Sequence, residues 1–255
     1  RHLPPAQHRL QRAPDHIDGD AQIGRLFECS FALSAWKELG PDRWALRVNP
    51  SSGNLHPTEV YLVAQGLPDL ADGVYHYAPK EHALEQRAAF ASPAIAPRLL
   101  VGFSSIHWRE AWKYGERAFR YCQLDMGHAI GALRYAAALL GWRVRELGLG
   151  HGDLAALMGL DRAADFQNAE GEEAESVFEL CFDAANAPPL DPRAMLADAC
   201  WFGQANRLDA HPMYRWPVID AVAKASRRLT ATPTATLPPL TRRTLLPGST
   251  AQASQ

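Results

Sequence analysis

Apolar residues recur at roughly helical spacing at Ile23, Leu26, Phe27, Ala32, Ala35, Trp36 and Leu39. That spacing predicts one helix over 20–39, capped by Asp18 or Asp20 and ended by Gly40-Pro41. The apolar run that starts at Val60-Tyr61-Leu62-Val63 predicts a buried strand over 59–65. Two short alternating runs at 73–78 and 83–88, around the polar turn Pro79-Lys80-Glu81-His82, predict a hairpin. Residues 98–103 read as a further strand. A long helix is predicted over 112–140, with Ala118, Cys122, Ala129, Leu133, Ala136 and Leu140 as a small-residue stripe closed by Gly141-Trp142. A short strand follows at 142–146, then a helix capped by Gly152-Asp153 and ending near Gly159. A last core strand is predicted at 176–182, and helices near 192–199 and 217–228.

Strands arriving as a hairpin plus separated singles, interleaved with long helices, favour an α+β fold with an antiparallel or mixed sheet over a doubly wound one. The expected organisation is an irregular arm at 1–19, a core domain at 20–186, a helical extension at 187–228 and a loose tail or linker at 229–255, rich in Thr, Pro, Ser and Leu. No GxGxxG follows a strand and no GxxxxGK[ST] occurs, so neither a Rossmann nor a P-loop site is supported.

At 255 residues the chain can bury a sizeable core, and its 47% apolar and 21% charged residues are ordinary for a globular protein. A net charge of -2 argues against broad binding to nucleic acid or an anionic membrane. Arg227-Arg228 and Arg242-Arg243 are the nearest thing to a basic patch. Cys29, Cys122, Cys181 and Cys200 lie far apart with no CxxC, which reads as buried thiols of a reducing compartment. No run approaches the ~20 apolar residues of a membrane span, and RHLPPAQHRLQR lacks the apolar core of a signal peptide. A cytoplasmic protein is the expectation. The chain opens on Arg1, so the expectation is either that residues have been removed or that it is a piece of something longer.

The stretch with most chemistry is the loop entering the first strand, Asn49-Pro50-Ser51-Ser52-Gly53-Asn54-Leu55-His56-Pro57-Thr58-Glu59. Gly53 lets backbone approach a flat ligand, Asn54 can donate and accept, Ser51 and Ser52 offer hydroxyls, and Pro50 and Pro57 stiffen the ends. A flavin ring asks for this combination, because its pyrimidine edge alternates donors and acceptors while one face must stay open. A plain Pro/Ser/Gly turn, with Asn54 satisfying backbone, accounts for the same residues. Asp125 and His128, three apart on one helical face, read either as a proton relay or as a packed pair. His76 and His82 read as surface residues. Neither HxH nor HExxH occurs, so no metal site is expected. No GxSxG elbow occurs, so a serine hydrolase is not supported.

The loop resembles the flavin-binding segment of the nitroreductase family, roughly PSxxNxQPW before a strand. Pro50, Ser51, Asn54 and Pro57 match, while His56 stands where Gln is usual and Thr58 where Trp is usual. LHPTEVYLV looks closer to the azoline-dehydrogenase-like branch. GVYHYAPKEHALE at 73–85 is similar to that branch's hairpin, and WKYGERAFRY through Leu124-Asp125-Met126-Gly127-His128 is similar to its central helix. WFGQANRLDAHPMYRWPVID at 201–220 resembles the region joining two halves in long tandem members. The resemblance covers about residues 20–228.

It implies FMN, held at the ring by Asn49, Pro50, Ser51, Ser52, Gly53, Asn54 and His56, with hydride passing between a reduced nicotinamide or organic substrate and an acceptor. No dedicated acid or base is implied. It also implies a homodimer, or pairing with a second nitroreductase-like half, with Gly127 and Gly131 beside Ala132 and Ala136 at close helix packing. The family's phosphate cradle uses an RRSxR-like motif near the N-terminus and a late Lys or Arg. RRSxR is absent here, and within the late stretch FDAANAPPLDPR the only cation is Arg193. A flavin-free partner domain with a structural role is the alternative this leaves.

Overall fold

The computed structural model describes residues 19–91, 96–182, 188–209, 211 and 214–236. The arm at 1–18, the proposed cap Asp18 and residues 237–255 lie outside these.

Helix α1 (Gly19–Glu28) buries Ile23, Leu26 and Phe27 completely and is shorter than its apolar pattern predicts. Ser30 Oγ donates to the Leu26 carbonyl at 2.6 Å, and the amides of Ser30, Phe31 and Ala32 all turn back onto the Phe27 carbonyl. Side-chain bonds of that kind compete with helix continuation. The second half of the expected helix is instead a ribbon of β1 (Leu33–Leu39) and β2 (Asp42–Arg47). Gly40-Pro41 is its corner, not a helix stop: Gly40 has φ +59, the requirement of a two-residue turn with glycine first. Helical spacing misled here because Trp36 and Leu39 are exposed and pack on no helix partner.

The main sheet has eight strands in the order β10-β7-β8-β6-β3-β4-β5-β9, every pair antiparallel. The strands are β3 (Thr58–Gln65), β4 (Gly73–Ala78), β5 (Ala83–Ala89), β6 (Arg98–Ser105), β7 (Arg143–Glu146), β8 (Glu173–Cys181), β9 (Cys200–Trp201) and β10 (Ala235–Thr236). Both faces of the central strands β3 and β6 are covered, which explains their unbroken apolar runs. On one face Leu62, Tyr77, Leu99 and Phe103 meet Phe27, Met126 and Leu133 of α1 and of α3 (Ala118–Leu139). On the other, Val63, Leu100 and Val177 meet Leu154, Leu157 and Met158 of α4 (His151–Met158).

The long helix predicted over 112–140 is two. α2 (Trp108–Tyr114) begins earlier than expected and ends at Gly115, whose φ +58 and ψ -137 are a conformation that only glycine adopts readily. One tight turn at Gly115–Arg117 then leads into α3. The predicted capping pair Gly152-Asp153 also moves. Gly150 occupies the N-cap of α4 without a side-chain bond, and Asp153 sits in the first turn, where its charge suits the helix dipole.

In the extension, Asp191 caps α5 (Pro192–Leu196) by accepting from the amides of Arg193 and Ala194, both at 3.1 Å. α6 (Pro217–Ser226) packs Ile219 against Ala111 and Ala118. Beyond it the chain runs along β7, with the His151 amide on the Arg228 carbonyl at 2.6 Å and the Thr232 amide on the Gly148 carbonyl at 2.7 Å. Arg227 donates from Nε and Nη2 to the two carboxylate oxygens of Glu173, and Arg228 lies 3.5 Å from Glu146, so this basic pair is neutralised. No helix among the described residues is long and apolar enough to cross a membrane.

Candidate functional site

Between β2 and β3 the loop 48–57 rests on α3 and α2, and Asp125 of α3 organises it. Asp125 is 1% exposed. Its Oδ2 accepts from Ser51 Oγ at 2.7 Å, and its Oδ1 accepts from the Ser52 amide and the Ser52 hydroxyl, both at 2.9 Å. Ser51 Oγ in turn accepts from the His56 amide at 2.8 Å. Both serine side chains therefore point inward. This carboxylate was legible only as a possible partner of His128. The structure separates the two, burying Asp125 under the loop and leaving His128 exposed.

Asn54 also bonds within the protein. Its Nδ2 donates to the Ala45 carbonyl of β2 at 2.8 Å, and its Oδ1 lies 2.9 Å from His56 Nε2. An amide oxygen only accepts, so His56 carries its proton on Nε2 and leaves Nδ1 as a bare acceptor. Nδ1 is buried without a partner. Burial first, then the charges of Arg47 and Arg109, depresses the His56 pKa to about 4, so the ring is neutral at physiological pH. Asn54 and His56 both hold positive φ, at 61° and 51°, as does Gly53 at 61°. Backbone of this kind costs energy outside glycine and persists only when surrounding bonds hold it.

Gly53 is the exposed crest of the loop. A Cβ there would lie 2.4 Å from Tyr114 Oη and 2.8 Å from Lys113 Nζ, so α2 closes one side of it. Asn49 is 3% exposed, with Oδ1 buried and unpartnered. Pro50 is exposed.

Below the loop lies a polar network that the sequence did not reveal. Arg109 Nη1 donates to the His56 carbonyl at 2.7 Å and pairs with Glu59. Glu59 also meets His76 Nε2 at 2.6 Å, and His76 Nδ1 meets Glu85 at 2.8 Å. Burial works against a charged His76, but hydrogen bonds to Glu59 and Glu85 outweigh it and raise its pKa to about 9. Burial also opposes ionisation of Glu59, yet the His76 bond and the charges of Arg109 and Arg47 hold it down to about 2. His76 is thus a structural imidazolium between two carboxylates, not the surface residue expected. His82 meets Tyr77 Oη through Nδ1 at 2.8 Å.

Glu110 of α2 is fully buried, and neither carboxyl oxygen has a partner. Burial, then the nearby charge of Asp125, raises its pKa to about 8 against the pull of Lys113, so it is protonated at neutral pH. Arg193 sits on α5, 3.3 Å from Asp153. Among the described residues no group of three His, Cys, Asp or Glu could hold a metal.

Structural comparison places the fold. A crystal structure from Anabaena variabilis, described as a candidate nitroreductase, superposes with TM-score 0.59 at 23% identity, over 83% of this chain and 43% of that one. A second, from Ralstonia eutropha and likewise described, gives 0.50 at 21%, over 72% and 89%. The fold is nitroreductase-like. A chain of the Escherichia coli microcin synthetase McbBCD complex, with truncated pro-MccB17 bound, shares this nitroreductase-like fold at TM-score 0.51 and 20% identity, over 71% of each chain. In sequence, a candidate nitroreductase of Methanocaldococcus jannaschii is 28% identical over 113 residues, which is 39% of this chain and 57% of that relative. The match thus spans little more than half of the curated relative. No family model matches the chain.

Proposed function

We propose that this chain is a unit of an FMN-dependent oxidoreductase, in which flavin carries hydride between a reduced nicotinamide or organic substrate and an acceptor. The observation that carries this reading is the loop itself. A buried carboxylate, two serines and an Asn54-to-Ala45 latch hold Asn54 and His56 at positive φ beside an exposed glycine.

The residues present suit a flavin ring in two respects. Asn49 Oδ1 and His56 Nδ1 are acceptors without donors, and a ring N–H is the donor they lack. Gly53 offers an exposed stretch of backbone, with the Tyr114 hydroxyl and the Lys113 ammonium packed where a side chain of its own would lie. Asn49, Pro50, Gly53 and His56 would then border the ring. Ser51, Ser52 and Asn54 shape the loop through bonds made inside the protein. The bound flavin supplies the redox chemistry; the chain orients it. Lys113 adds a cation on the same side.

Pairing belongs to the same reading. The outer face of α3 shows Leu124, Tyr135 and Leu139 to solvent at 55%, 65% and 61% exposure, and nothing lies within 4 Å of a Cβ added at Gly127 or Gly131. A homodimer, or a second unit of this fold, would cover that face. The nitroreductase-like neighbour that belongs to the McbBCD complex supports a partnered role.

The test is anaerobic mixing of the FMN-loaded chain with NADH or NADPH. Bleaching of the flavin band, and its return when an electron acceptor is added, is the expected result. A bound flavin that neither nicotinamide reduces would count against the nicotinamide half-reaction.

A further inference from the structure

A cavity of about 500 Å³ opens between the start of α2, the segment 168–171 and the approach to α6. That is the size of a small-molecule site. Ala111 and Ile219, each 4% exposed, give it an apolar floor, and the half-buried rings of Trp108 and Trp216 line it with them. Tyr214 adds a third aromatic ring, its centroid 6.0 Å from that of Trp216. No residue of the loop 48–57 lines this cavity, so it is separate from the candidate flavin platform.

Five charged side chains also line the cavity, and three of them hold its wall together. Glu170 accepts from the amides of Leu208 and Asp209 at 2.8 and 2.6 Å. Arg207 Nε donates to the Asp209 carbonyl at 3.0 Å, and Asp209 Oδ1 accepts from the His211 amide at 2.8 Å. The other two are Arg215 and Asp220. Among the described residues, no hydrogen bond or ion pair engages either side chain. They straddle the start of α6: Arg215 directly precedes its N-cap Trp216, and Asp220 lies in its first turn. Asp220 suits the positive end of that helix, but the helix gives Arg215 no partner. One uncommitted cation and one uncommitted anion therefore sit beside an aromatic-lined cavity. A guanidinium takes a carboxylate as a two-pronged donor, a carboxylate takes an ammonium, and the tryptophan rings take a planar ring by stacking or edge contact.

We propose that this cavity binds a free aromatic α-amino acid, its ring among Trp108, Trp216 and Ile219, its carboxylate on Arg215 and its ammonium on Asp220. An aromatic acid would leave Asp220 unmatched, an aromatic amine would leave Arg215 unmatched, and a residue inside a peptide would leave both. The inference rests neither on flavin binding nor on pairing between chains.

Isothermal titration calorimetry of the purified chain at neutral pH tests it, with L-phenylalanine, 3-phenylpropionate, phenethylamine and N-acetyl-L-phenylalaninamide as probes. Saturable one-to-one binding of L-phenylalanine is expected, with each of the other three weaker by about tenfold or more, as loss of a charged hydrogen bond dictates. Arg215→Ala should bring L-phenylalanine down to the level of phenethylamine, and Asp220→Asn should bring it down to that of 3-phenylpropionate. Both side chains are exposed, so both variants should keep the wild-type thermal midpoint. Three results would each overturn the proposal. One is no heat from L-phenylalanine at millimolar concentration. Another is a capped probe that binds as tightly as the free amino acid, which would make the cavity a seat for a peptide side chain. The third is unchanged discrimination among the probes in Arg215→Ala and Asp220→Asn.

Discussion

Asp125 Oδ1 lies 2.9 Å from both the amide nitrogen and the hydroxyl oxygen of Ser52, a residue 73 positions away in sequence. One buried carboxylate thus fixes the turn that presents Gly53. Asp125→Ala removes the acceptor and leaves several buried donors unmatched. Unmatched polar groups cost 1–3 kcal/mol each at most sites, so a loss of about 3 kcal/mol is expected. Urea denaturation reads it directly. Asp125→Asn should recover only part of the loss, because its amide replaces one acceptor oxygen with a donor.

Gly53→Ala tests the crest. The new methyl meets Tyr114 Oη and occupies a left-handed backbone, so a loss of roughly 1–2 kcal/mol is expected from conformation alone. Adding Tyr114→Phe should return the part due to the clash. If Gly53→Ala melts like the wild type, the glycine is not required by the loop.

Stability should fall as pH rises above neutrality, while on the acid side the contributions of His56 and Glu110 oppose one another. His56 has its pKa depressed in the fold to about 4, so its contribution is complete above 6.5 and is lost as pH falls from 6.5 toward 4. Glu110 is raised to about 8, so the fold favours its protonated form and loses stability as pH rises from 4.5 toward 8. His76, raised to about 9, contributes below 6.5 and loses that contribution as pH rises from 6.5 to 9. Thermal melts across this range should show Glu110→Gln flattening the limb between 4.5 and 8, and His76→Gln flattening the limb above 6.5. Alkaline limbs identical to wild type in both variants would remove these groups as the cause.

Asn54→Ala breaks the latch to Ala45 and the contact to His56 together. A stability loss of about 1–2 kcal/mol is expected from two hydrogen bonds, along with faster amide exchange through residues 50–56. Unchanged exchange there would show that Asp125 alone holds the loop.

The central strands were legible because β3 and β6 are covered on both faces, so their apolar runs are unbroken. The 73–89 hairpin was legible through its alternation and polar turn. What escaped depends on tertiary context. Trp36 and Leu39 carry helical spacing, yet they lie on a ribbon with nothing packed beneath them, and the decisive signal was Gly40-Pro41 read as a two-residue corner. The break at Gly115 was visible as a glycine inside a helical pattern, although its φ was not. In the site, the loop could be found from its composition. The partners Asp125, Ala45 and Arg109 could not, because each comes from a different element. His76 looked like a surface residue because neither Glu59 nor Glu85 is its neighbour in sequence.

The most direct test of the central claim is an equilibrium titration of the purified chain with FMN, followed by quenching of flavin fluorescence, with Asp125→Asn and Lys113→Ala alongside. Saturable one-to-one binding in the wild type, weakened several-fold or more in both variants while each remains folded, is the predicted result. Wild-type protein that leaves FMN fluorescence unchanged at every concentration would contradict the assignment of residues 49–56 as a flavin platform.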